Sequence, residues 1–129
     1  MVCLETTFII DLLKGKTEVL RIINELENAN SRVSITTPTL YEVWAGAIST
    51  GSKKELIKIN ELLQSIEVLQ LDQDCAREAA AIKNELIKKG SIIQRIDILI
   101  AGIAKTHNEK LLTRDGGYAN IDGLRIIKY

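Results

Sequence analysis

Short apolar runs alternate with longer amphipathic segments along the whole chain, and this alternation limits the possible fold more than any other feature. The runs VCLE (2–5), VSIT (33–36), EVLQL (67–71), KLLT (110–113) and LRIIK (124–128) are short and mostly apolar or β-branched, as strands covered on both faces of a parallel sheet tend to be. The segments between them repeat apolar residues at helical spacing. Residues 6–14 carry Phe8, Ile9, Leu12 and Leu13, with Thr6 as the expected N-cap and Gly15 as the stop. Val19, Ile22, Ile23 and Leu26 mark a helix over 17–28, closed by the turn residues Asn28 to Ser31. Pro38 fits the first turn of a helix that carries Leu40, Val43, Trp44, Ala47 and Ile48 and ends at Gly51. Leu56, Ile59, Leu62 and Leu63 mark another helix. A further one places Cys75, Ala79, Ile82 and Leu86 on one face before Gly90, and the last covers 94–107. Strands alternating with helices predict an α/β domain built on a mainly parallel sheet.

Composition narrows the class further. At 129 residues the chain is the size of one domain, 1–129, with room for a core that needs no staples. Lys plus Arg balance Asp plus Glu at 17 each, so bulk charge does not point to nucleic acid; a phosphodiester ligand would need a bound cation and local Lys or Arg. Cys3 and Cys75 are too few for a disulfide scaffold and lack metal-site spacing, so both are expected to be buried thiols in a reducing, cytoplasmic compartment. The N-terminus lacks a basic n-region and cleavage site, so no signal peptide is expected. No membrane span is expected either, because the apolar stretch Ile92–Ala104 is short and broken by Gln94, Arg95 and Asp97.

Four of the acids stand apart by position. In open α/β sheets ligands bind beyond the carboxyl ends of the strands. Glu5 ends the first strand, Glu42 lies in the first turns of the helix after the second, Asp97 lies near the start of its helix, and Asp115 follows the fourth strand. Glu18, Glu25, Glu27, Glu55, Glu61, Glu78 and Glu85 instead fall on polar helix faces. Other uses exist for some of the four. Glu42 could complete a capping box with Thr39, and Asp115 could be a turn or N-cap residue before Gly116-Gly117. Asp97 is harder to explain otherwise, since Ile96, Ile98, Leu99 and Ile100 surround it and neither Arg95 nor Lys105 has helical ion-pair spacing. A Mg²⁺ or Mn²⁺ ion accounts for all four together.

At these residues the chain resembles the PIN-domain proteins, and among them the VapC toxins of prokaryotic toxin–antitoxin pairs. The segments that carry the resemblance are VCLETTFIIDLLKG, TPTLYEVWAGA, RIDILIAGIAKTHNEKLLTRDGGY and IDGLRIIKY, which span the chain end to end. The resemblance implies a PIN-like three-layer sandwich, with a central mainly parallel sheet of four to five strands and helices on both faces. It implies Glu5, Glu42, Asp97 and Asp115 as catalytic and metal-holding acids, with Thr113 as a supporting hydroxyl. It also implies a Mg²⁺- or Mn²⁺-dependent ribonuclease, usually a homodimer, silenced by a small VapB-like antitoxin that inserts a segment into the acidic site. Thr6, Arg95 and Arg114 are candidate substrate contacts. Tyr118 resembles a family aromatic that packs beneath the site.

Glu5 departs from the family pattern, which has aspartate there. The added methylene moves the oxygens by about a bond length, and a misplacement of ~1 Å can cost roughly a hundredfold in rate. A normally folded but impaired nuclease is therefore expected, whether Glu5 is natural in a weakened or metal-shifted enzyme or was introduced to silence a toxin. A PIN fold that binds antitoxin or RNA without cutting is the second reading. A phosphoacceptor domain of the response-regulator kind would need an acidic pair after strand one, and Glu5-Thr6 does not supply it. His107 is expected at a helix end, partly exposed. Tyr41 and Trp44 are candidates for base stacking or, for Trp44, packing or a dimer surface.

Overall fold

A computed structural model describes residues 1–129. Five strands, β1 (Val2–Leu4), β2 (Val33–Thr36), β3 (Glu67–Leu69), β4 (Lys110–Thr113) and β5 (Arg125–Lys128), form one sheet in the order β3-β2-β1-β4-β5. Every neighbouring pair is parallel, which requires a crossover between successive strands. Six helices supply the coverage: α1 (Thr6–Leu13), α2 (Thr17–Asn28), α3 (Thr37–Thr50), α4 (Lys53–Leu63), α5 (Gln73–Lys88) and α6 (Arg95–Thr106).

The alternation of side chains along each strand sends residues to two cores. Val2 and Leu4 of β1 and Leu112 of β4 pack with Phe8, Ile9, Val19, Leu40, Val43 and Ile59 from α1–α4. Cys3 and Leu111 pack on the other face with Ile82, Leu86, Ile100, Ala101 and Ala104 from α5 and α6. This is the three-layer sandwich expected. Cys3 and Cys75 are free and buried, and no helix is long and apolar enough to cross a membrane.

Close approach of α5 and α6 depends on Gly102. A Cβ there would stand 2.8 Å from Ala79 Cβ and 2.9 Å from both the Ala79 nitrogen and the Cys75 carbonyl oxygen, inside any real contact distance. Gly51 ends α3 in the left-handed region at φ 68°, a conformation glycine adopts without a side-chain penalty.

Some element ends differ from the sequence reading, each for a local reason. Glu5, not Thr6, caps α1, its side chain accepting from the Thr7 nitrogen. Strand β3 stops at Leu69 because the Leu71 nitrogen turns to the Thr37 hydroxyl, 3.3 Å away. Helix α4 begins at Lys53, capped by Ser52; its first turn is polar and so carries no apolar signal. A 3-10 turn over Gly116–Asn120 follows β4.

Candidate active site

The strand order places the chain's reversal between β1 and β4: β2 and β3 continue to one side of β1, and β4 and β5 lie on the other. The crevice beyond the carboxyl ends at such a reversal is where open α/β sheets bind ligands. Glu5 follows β1 there, and the register pairs Leu4 with Leu112, so Glu5 stands beside Thr113. The backbone continues the ladder through Glu5 N–H to the Leu112 carbonyl, 3.1 Å.

Glu5 is 2% exposed and heavily hydrogen-bonded. Its Oε2 accepts from the Thr7 nitrogen at 2.9 Å, the Thr7 hydroxyl at 2.6 Å and the Thr113 hydroxyl at 2.8 Å. Its Oε1 accepts from the Tyr118 hydroxyl at 3.3 Å. This carboxylate folds back over the first turn of α1 and satisfies one orphan donor there, the Thr7 nitrogen. Thr113 also accepts from the Asp115 nitrogen at 3.0 Å, tying the end of β4 to the fourth acid.

Asp97 lies in the first turn of α6, where a carboxylate is favoured by the helix dipole. Its one side-chain donor is the Tyr118 hydroxyl, 3.1 Å from Oδ1. Lys105 pairs with Glu78 instead, at 2.8 Å. Burial pushes the Asp97 carboxyl up to about 6, with the negative charges of Glu5, Asp115 and Glu42 adding to the rise and the Tyr118 hydrogen bond opposing it. The Tyr118 phenol is raised far above its usual value by burial and by Glu5 and Asp97, so it keeps its single proton, which lies within reach of both carboxylates.

Glu42 does not close a capping box. Thr36 caps α3 by accepting from the Thr39 nitrogen at 3.2 Å, and Glu42 Oε1 accepts from the Thr6 hydroxyl at 2.7 Å. Asp115 does serve as a cap, its Oδ1 accepting from the Gly117 nitrogen at 2.9 Å, and it shares with Asp97 a cleft lined by Ile92, Ile93, Gln94 and Gly117. The four acids thus share one edge and one field. No three of them bring an oxygen each within 4.8 Å of one another; the constellation that does so lies elsewhere in the molecule.

The two candidate arginines are placed differently. Arg95, at the start of α6, is exposed and forms no ion pair. Arg114 is committed to Asp11, its Nε donating to Oδ2 at 2.8 Å. Asp11 is 1% exposed and also takes Lys16 at 2.7 Å and the Tyr129 hydroxyl at 2.8 Å. Burial alone would raise this carboxyl, but hydrogen bonds from Arg114, Lys16 and Tyr129 hold it well below the usual range. The sequence places Tyr118 beneath the site but predicts neither its hydrogen bonds to two acids, nor the Asp11 network, nor the Thr7 hydroxyl that donates to Glu5. The signals were present: Asp11 opens the motif DLLKG, Thr7 is the second of a threonine pair beside Glu5, and Tyr118 stands three residues after Asp115.

A parallel five-stranded sandwich with acids gathered at the β1/β4 crevice defines a class, and comparison with known families agrees. The chain matches the PIN domain over residues 2–124. It is 32% identical over 126 residues to the tRNA(fMet)-specific endonuclease VapC of Salmonella typhimurium, covering 95% of this chain and 93% of that protein. It is 30% identical over 95 residues to Ribonuclease VapC5 of Mycobacterium tuberculosis, covering 71% of this chain and 70% of the other. Among solved structures it superposes on VapBC2 from Rickettsia felis bound to a promoter DNA fragment, with a TM-score of 0.90, 25% identity, and 100% and 99% of the two chains covered. DNA-bound VapBC from Salmonella typhimurium gives 0.88 at 27% identity, covering 99% and 98%. The chain belongs to the PIN-domain family, and within it to the VapC-type toxins.

Proposed function

We propose that this chain is a ribonuclease toxin that hydrolyses RNA phosphodiesters with a divalent cation held by Asp97, Asp115, Glu42 and Glu5. The observation that carries this reading is the accumulation of negative charge around Asp97, where burial and three neighbouring acids lift the carboxyl to about 6 with only Tyr118 as donor. An all-oxygen, acid-rich set of this kind fits Mg²⁺ or Mn²⁺. Its carboxylates are spread more widely than ligands of one ion, as like charges are when uncompensated, and they would draw inward around a cation. Bound there, a divalent cation supplies activation of a water and neutralisation of charge growing on the phosphate.

The chain's own residues do the rest. Thr113 and Tyr118 fix the rotamer of Glu5, and Tyr118 orients Asp97 from beneath. Arg95, an exposed cation two residues before Asp97 with no ion-pair partner, is the candidate phosphate contact, although its side chain lines the groove between α5 and α6. Two of the curated relatives are named as RNA-cleaving enzymes, which supports RNA as the polymer. Neighbours solved as VapBC complexes support a small VapB-like antitoxin as partner. The exposed Tyr41, Trp44 and Ile48 on α3 offer apolar surface for an antitoxin segment or a second copy in a homodimer, and two free thiols suit a reducing cytoplasm.

One observation favours a second reading, a weakened enzyme that still binds its partners. Three of the four hydrogen bonds to Glu5 fall on Oε2, so that oxygen has little capacity left for a cation. Cleavage of RNA should require Mg²⁺ or Mn²⁺, stop on chelation and be lost in Asp97→Asn. Cleavage that continues in chelator, or is unchanged in that variant, would remove the acidic cluster from the chemistry.

A further inference from the structure

Away from the acidic crevice, a different group of side chains meets where α5 begins and α6 ends. Asp72, Cys75 and His107 bring one donor atom each, a carboxylate oxygen, the thiol sulfur and a ring nitrogen, within 4.8 Å of one another. Each is placed by the backbone. Asp72 is the N-cap of α5, its Oδ1 accepting from the Cys75 nitrogen at 2.9 Å, and its carboxylate lies beside the Cys75 thiol. Cys75 lies in the first turn of that helix, fully buried and unoxidised. His107 is the C-cap of α6. Gly102 holds the two helices close, its absent Cβ falling 2.9 Å from the Cys75 carbonyl.

An independent observation points to a ligand. Nε2 of His107 is shut off from solvent and has no hydrogen-bond partner, although a buried polar nitrogen is costly to leave unmet. No residue of the chain supplies the missing contact, and a metal ion held through Nε2 would.

We propose that Asp72, Cys75 and His107 form a second metal site, selective for Zn²⁺ or a similar borderline transition-metal ion. Sulfur, imidazole and one carboxylate are the donors such ions prefer, whereas Mg²⁺ and Mn²⁺ favour the all-oxygen cluster at the strand ends. Three protein ligands leave a fourth, tetrahedral position for water. Donors around a tetrahedral ion of this size stand ~3.5 Å apart, so the set closes by side-chain rotation of Asp72, which is exposed, and His107. As the sulfur–metal bond forms, the thiol proton passes to solvent, one per ion bound. The ion would tie the start of α5 to the end of α6, the helix whose first turn carries Asp97.

Cobalt gives a test that the acidic cluster cannot mimic, because that cluster contains no sulfur. Co²⁺ added to the full chain in excess Mg²⁺ should produce a near-ultraviolet sulfur-to-cobalt charge-transfer band with visible d–d bands, saturating at one equivalent and displaced by Zn²⁺. The band should be absent in Cys75→Ser and should require at least about tenfold more cobalt in His107→Gln. Zn²⁺ should also raise Tm more in the wild type than in either variant. A wild type without the band, or a band that survives in Cys75→Ser or titrates unchanged in His107→Gln, would overturn the site. His107→Gln decides the matter by itself if the cysteine variant does not fold.

Discussion

Replacing Asp97 with asparagine tests the electrostatic core of the site in the metal-free protein. Asparagine keeps the size of the side chain and an oxygen that can accept from Tyr118, while removing the charge. Burial and the charges of Glu5, Asp115 and Glu42 lift this carboxyl from 3.8 to about 6. Because the folded value is raised, the stability associated with the protonated acid is present at low pH and lost as pH rises from about 4 through about 6. A shift of that size corresponds to about 3 kcal/mol, and solvent screening of this half-buried group brings it to about 1–2 kcal/mol. Asp97→Asn should therefore stabilise the metal-free chain at pH 7.5 by about 1–2 kcal/mol, or roughly 3–8 °C in Tm for a domain of this size. At pH 4.5 the gain should fall to less than half. Mn²⁺ should raise the wild-type Tm at pH 7.5 and move the variant much less. Thermal melts followed by circular dichroism at both pH values, with and without Mn²⁺, give all these numbers. A variant less stable than wild type at pH 7.5, or equally stabilised at both pH values, would refute the reasoning.

Three further outcomes follow from neighbouring contacts. Tyr118→Phe removes the only side-chain donor to Asp97 and one donor to Glu5; it should cost about 1–3 kcal/mol in a denaturant melt and move the pH midpoint of Mn²⁺ binding upward. Asp11→Ala leaves Arg114, Lys16 and the Tyr129 hydroxyl without their shared acceptor and should cost about 2 kcal/mol. The wild-type contribution is present above the unfolded-state carboxyl pKa and is lost as pH falls through the lower folded value, so the two proteins should converge in strong acid. Gly102→Ala drives a methyl into the backbone at Ala79 and Cys75; a loss of about 1–3 kcal/mol is expected, and unchanged stability would show that α5 and α6 separate freely.

The sequence carried the layers of this fold because its signal there is periodic. Short apolar runs and helical stripes must face something, and both cores contain the residues those patterns pick out, from Val2 and Leu4 to Ile82 and Leu86. The acids were legible because their positions relative to strand ends follow from topology, which the alternation of elements fixes. What stayed hidden depends on long-range pairing. The DLLKG motif marks Asp11 but not its burial, since its partners Arg114 and Tyr129 lie more than one hundred residues away. Glu109, also buried, lies before β4 with one oxygen unpaired, and no pattern in the sequence singles it out. The cap of α1 falls at Glu5 rather than Thr6, because a glutamate on a strand end reaches its own helix only once the strand and helix are set in place. The cluster of Asp72, Cys75 and His107 could not be found by spacing, since His107 arrives from another helix.

The most direct test of the central claim is the rate of RNA cleavage in Mn²⁺ by the wild type beside Glu5→Asp. Aspartate remains a good N-cap, so the fold should tolerate the change, and drawing the carboxylate back by one methylene should free it for a cation. A rate about 10- to 100-fold above wild type is expected, abolished in both proteins by chelation. A rate no higher than wild type would contradict the impairment by Glu5, and cleavage that persists without a divalent ion would contradict the assignment of Glu5 and its neighbours as the metal-holding centre.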